Sequence, residues 1–156
     1  MNRNCLYVLI VMAIHSFCHA QVTKLPAGDL KVLTDVSRFH QIQAATNLPP
    51  EVFALCADKR HRLAEPGQKW EEGDYIIDQT LPRQRLRWAV TDDNYYVVHC
   101  ERGGYVLSYF VLVAKLKAGE SKPSFVWRAG ASRELRDFKE FLAALATNDL
   151  NDSRSP

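Results

Sequence analysis

The chain has 156 residues, 47% of them hydrophobic and 24% charged, with seven glycines and seven prolines. That composition excludes disordered, collagen-like and coiled-coil chains and leaves one ordinary globular domain with enough residues to bury a core. A formal charge of +2 is too small by itself to argue for nucleic acid or an anionic membrane as partner.

Residues 1–20 have the three parts of a secretory signal peptide: a start carrying Arg3, an apolar stretch over residues 6–14, and a polar end with Cys18 and Ala20 framing a cleavage site before Gln21. The apolar stretch is well short of the roughly 20 residues that a spanning helix needs, so no transmembrane segment is expected in the mature chain. Lipid attachment at Cys18 is disfavoured by Phe17 before it and His15 further back. The expected organisation is a signal peptide over 1–20, a lead-in over 21–28, a single domain over 29–146 and a flexible polar tail over 147–156. Export to the periplasm or the extracellular space is the consequence, and both locations fit equally.

Cys5 and Cys18 leave with such a signal, and Cys56 and Cys100 remain as an even pair in an oxidising space. One disulfide between them is expected, contributing about 2 to 4 kcal/mol by restricting the unfolded chain. Two buried thiols are the alternative.

Asp29 can cap a helix carrying Leu30, Leu33, Val36, Phe39 and Ile42. Pro49 and Pro50 break it, and Pro50, in a first-turn position, starts a second short helix through Val52, Phe53 and Cys56. The basic run 59–62 is expected to be a solvated face, and Pro66-Gly67 a turn. From Tyr75 the apolar spacing becomes alternating, with candidate strands over 74–78, 85–91, 95–101, 105–116 and 124–129. Ser132 can cap a last helix with Leu135, Phe138, Phe141, Leu142 and Leu145 on one stripe. The expected fold is α+β: an antiparallel meander of four to five strands with N-terminal helices and one C-terminal amphipathic helix.

If residues 92–94 form a three-residue loop, Val90 faces Tyr96, Trp88 faces Val98 and Leu86 faces Cys100, all apolar. The same register sets Arg87 opposite His99 and Arg85 opposite Glu101 on the other side. With Gly103-Gly104 as a two-residue turn, Cys100 pairs with Leu107, Val98 with Tyr109 and His99 with Ser108. The second face then has an apolar end, Tyr95, Val97, Phe110 and Leu112, and a polar end, Arg85, Arg87, His99, Glu101 and Ser108. Either a helix covers its apolar end or the face is a floor for a ligand or partner.

On that face Glu101 could serve as general base and His99 as general acid, with Arg85 and Arg87 steadying the anionic transition state of phosphodiester cleavage. These residue types are similar to the Glu, Arg and His sets on the sheets of small secreted microbial ribonucleases. The likeness spans four side chains. The plainer reading is of paired charges that serve solubility and register on a half-exposed sheet. His40, His61 and His99 lack the spacing of a zinc site, and neither a metal nor a cofactor is expected.

Two functions are carried forward. The preferred one is a small exported binding module that recognises a protein or an envelope component through Arg85, Arg87, Tyr95, Val97, Ser108 and Phe110. The alternative is a ribonuclease-like phosphodiesterase or related hydrolase using His99 and Glu101, and only this one takes nucleic acid as partner.

Overall fold

The computed structural model describes residues 25–152. The signal peptide expected over 1–20 lies outside them, as do the first half of the lead-in, residues 21–24, and residues 153–156 of the expected tail. In chain order the elements are α1 (Ala27–Thr34), a 3-10 turn (Val36–Arg38), β1 (His40–Ile42), a second 3-10 turn (Ala45–Asn47), α2 (Pro50–Cys56), β2 (Gln84–Thr91), β3 (Tyr95–Arg102), β4 (Ser108–Lys115), β5 (Phe125–Ala131), α3 (Phe138–Ala146) and β6 (Leu150–Asn151). The strands form one six-stranded antiparallel sheet in sequence order, so the α+β meander is present with more strands than expected.

The expected first helix stops early. Asp35 leaves the helical region at φ −83° and ψ 80°, and its N–H donates to the Val32 carbonyl at 3.2 Å, three residues back, which closes the last turn. Ile42 therefore sits in β1 opposite Ala89. Pro50 does open α2, where Val52 and Cys56, one turn apart, both face the core. α3 starts later than Ser132 would set it. Asp137 is its cap, with Oδ1 accepting from the Glu140 N–H at 2.9 Å.

Residues 74–78, expected as a strand, form a loop. Its amides bond to a side chain instead of a neighbouring strand: the buried Glu71 carboxylate accepts from the N–H groups of Ile77 (3.2 Å) and Asp78 (3.0 Å). At the other end, residues 147–152 are more than the start of a tail. Leu150 is buried in β6 beside Ala131, and Asp152 accepts from Trp127 Nε1 at 3.3 Å.

The hairpin registers also differ from expectation. Leu86 pairs with Cys100 and Arg85 with Glu101 as expected, but a bulge at Arg87 shifts the remaining pairs, so Trp88 pairs with His99 and Val90 with Val97. The bulge turns Trp88 to the side of His99, with ring centroids 5.4 Å apart. Trp88 and Cys100 consequently belong to different cores. In the next hairpin the connection runs over residues 103–107, setting Arg102 opposite Ser108 and Cys100 opposite Phe110. This offset of three residues is odd and exchanges the faces of β4. Within this connection Gly103 packs directly on another loop: a Cβ there would collide with the Glu71 carbonyl and lie 2.7 Å from Glu72 Cα.

Both faces of the sheet are covered. On one, Trp88, Tyr95, Val97, Val111, Val113 and Trp127 pack with Leu33 of α1 and with Leu135, Phe138 and Phe141 at and within α3. On the other, Leu86, Ala89, Val98, Cys100, Phe110 and Leu112 pack with Val52 and Cys56 of α2 and with Ile42, Leu48 and Leu63. Each large apolar side chain so buried contributes about 1.5–3 kcal/mol. The sheet is thus the middle of three layers. Cys56 and Cys100 meet in the second core 4.2 Å apart and are free thiols, which corrects the expected disulfide. They fill space as small apolar side chains. Burial, and then the Cys56 thiol, push the Cys100 thiol well above its usual range.

Candidate functional site

Four of the five polar residues expected to share a face, Arg85, Arg87, His99 and Glu101, do lie together, in a setting unsuited to acid–base work, whereas Ser108 pairs with Arg102 and falls on the other face. His99 is fully buried, with Nδ1 3.1 Å from the Phe110 carbonyl and Nε2 accepting from the Leu135 N–H at 3.2 Å. Those two partners require the proton on Nδ1 and leave no ring nitrogen for a substrate. Burial lowers its pKa to about 4, so the ring is neutral at pH 7. Glu101, also buried, accepts from Arg85 Nε and lies 3.3 Å from Arg87 Nη1, while Arg87 also bonds Glu134.

The other expected binding residues are distributed differently. Val97 is sealed between the sheet and the helices, and Tyr95, buried with it, donates its hydroxyl to Asp29 of α1. The exchanged faces of β4 carry Phe110 into the opposite core, where the guanidinium carbons of Arg128 and Arg102 lie 4.4 and 5.5 Å from its ring centroid. Ser108 and Phe110 border a cavity of about 530 Å³ beside β5 and Asn151.

A larger cavity, about 630 Å³, opens where the segment after α2 meets the ends of β2 and β3. Lys59, Arg60, Arg62, Arg83 and Arg102 line it against two carboxylates, Asp58 and Asp74. Asp58 organises this wall. It accepts from the N–H groups of Arg60 (2.8 Å), Arg62 (3.1 Å) and Arg83 (3.3 Å) and from Arg62 Nη2 (3.1 Å). Burial acts to raise its pKa, but these donors outweigh burial and hold the carboxyl below its ordinary range. Its charge is therefore already matched by protein donors, and the cationic excess falls on the cavity.

Arg60 and Arg62 reach across to the next loop through Nη1, donating to the Gln79 carbonyl at 2.7 and 2.9 Å. Arg83 Nη2 donates to the Gly73 carbonyl at 3.2 Å. Three buried polar atoms of the lining, Arg62 Nε, Arg83 Nε and Gln84 Oε1, have no hydrogen-bond partner among the described residues. The 59–62 run looks like an ordinary solvated face in sequence, and only its convergence with Arg83 and Arg102 distinguishes it. Chemically, the arrangement offers guanidinium and ammonium donors to an oxyanion and one amide oxygen to a donor.

Among the described residues no group of three or more His, Cys, Asp or Glu is placed to hold a metal, and no helix is long and apolar enough to cross a membrane. Comparison with protein-family models, with curated proteins and with solved structures finds no match.

Proposed function

We propose that this chain is a small exported binding module whose ligand seat is the cationic cavity between the 59–62 segment and the ends of β2 and β3, and that its ligand is anionic. The observation that carries this reading is the cavity's charge: five cationic side chains face two carboxylates, and Asp58 is consumed by four protein donors. A half-enclosed site of this size with convergent donors suits a bound anion better than a solvated surface does. Export rests on the signal-like residues 1–20 and adds that the ligand is met outside the cytoplasm.

The test is titration calorimetry of the purified full chain with tripolyphosphate and with citrate as probes. Saturable binding is expected, weakening as ionic strength rises and falling about tenfold in Arg102→Gln. Absence of saturable binding by both probes would overturn the reading. N-terminal sequencing of the exported protein checks its other half and should begin at Gln21.

A further inference from the structure

From the two loops flanking the cavity we infer that its occupant is an acidic segment of another protein that carries apolar side chains between its carboxylates; this rests on the anion-binding reading above. Among the described residues, every exposed large hydrophobic except Val36 and Val126 falls in the two stretches 75–77 and 105–107. Tyr75, Ile77 and Tyr105 are 85%, 86% and 89% exposed, and Val106 is 70% exposed. Apolar exposure concentrated in this way marks an interaction surface, whereas scattered single residues do not. Ile76 and Tyr105 line the cavity itself, so both tips border the cationic site.

The tips are held in place. The Gly104 N–H donates to the Glu72 carbonyl at 3.1 Å, joining the two loops. Glu71 fixes the far end of the first loop through Ile77 and Asp78, and Gly103 seats the second on the Glu71–Glu72 backbone. A surface held in this way needs little ordering on binding, which favours a peptide that places carboxylates in the cavity and apolar side chains against the tips.

Charge selects among occupants. Residues 1–24 and 153–156 of this chain contain Arg3, Lys24 and Arg154 and no acidic residue, so neither complements the cavity. An anionic bilayer is disfavoured because Asp74 and Asp78 bracket the Tyr75–Ile77 tip that would have to approach it.

The experiment compares three probes on the full chain: a synthetic peptide alternating Glu with Leu and Phe, an oligo-glutamate of equal charge, and phosphatidylglycerol vesicles. The double variant Ile77→Ser/Val106→Ser, which alters both tips and no residue of the cavity lining, is run beside them, with circular dichroism to confirm that it folds. The alternating peptide should bind at least tenfold more tightly than oligo-glutamate, the double variant should lose that margin, and citrate binding should be unchanged in it. Equal affinity for the two peptides, or vesicle binding that depends on Ile77 and Val106, would overturn the inference while citrate binding keeps the anion site standing. Failure of citrate, tripolyphosphate and both peptides together would remove the anion site itself.

Discussion

His99 and Leu135, thirty-six positions apart in sequence, are joined by a hydrogen bond from the Leu135 backbone N–H to the imidazole Nε2. The Leu135 carbonyl is engaged as well, accepting from Trp88 Nε1 at 2.7 Å. Two side chains of neighbouring strands thus hold both polar groups of one backbone residue at the entrance to α3. A buried peptide unit outside regular structure needs such partners, because leaving either group unpaired costs about 1–3 kcal/mol. The bulge at Arg87 makes the pairing possible, since it brings Trp88 to the face that His99 occupies.

Replacing the imidazole should therefore act on stability. His99→Ala is expected to lower the unfolding free energy by about 2–4 kcal/mol, combining the lost bonds with a cavity beside Trp88. Urea denaturation measures this. The same preparations assayed on RNA should show no cleavage that depends on His99, and activity lost in the variant would restore the hydrolase reading.

Stability should depend on pH through the same residue. The pKa of His99 is about 4 when folded and near the ordinary 6.5 when unfolded. Between those values the unfolded chain binds the proton and the folded chain does not, so stability rises with pH across the window. Acidification from 6.5 to 4 should cost on the order of 3 kcal/mol, with no further loss from this group below 4. His99→Gln should flatten that part of the profile in denaturant titrations.

Gly103→Ala should damage the cavity specifically. The added Cβ meets the Glu71 carbonyl and the Glu72 backbone, neither of which is a flexible side-chain end. The loops should separate, with a stability loss of about 1–3 kcal/mol and weaker citrate binding by calorimetry. Gly119→Ala, with open space around its Cβ but a φ of +84°, should cost stability through strain alone and leave citrate binding unchanged.

The buried thiols should be chemically silent. Burial and the adjacent Cys56 raise the pKa of Cys100, and the thiolate is the reactive form. Peptide mapping after maleimide treatment at neutral pH should find Cys56 and Cys100 unlabelled in the folded chain and labelled after unfolding. Labelling of Cys100 without unfolding would contradict its placement in the core.

Much of the architecture was legible locally. Pro50 opening α2, the alternation along β2 to β5 and the apolar stripe of α3 are short-range signals, and each corresponds to an element in the structure. The departures occur where a distant group took part. A bulge inserts one residue and leaves the alternation on either side looking normal, so nothing near Arg87 announces it. Gly103-Gly104 has the composition of a tight turn, yet Gly103 is there because the Glu71–Glu72 backbone passes against it.

By itself the sequence determined the α+β class, the hairpin order and the sharing of one face by Arg85, Arg87, His99 and Glu101, because these depend on periodicity and short connections. Only the tertiary structure decided that this face is roofed by α1 and α3, that Phe110 belongs to the other core, and that the cations of 59–62 meet Arg83 and Arg102 around a cavity. Those outcomes arise from odd register offsets and from loop-to-loop contacts between residues far apart in the chain. Side-chain spacing along one segment carries no information about either.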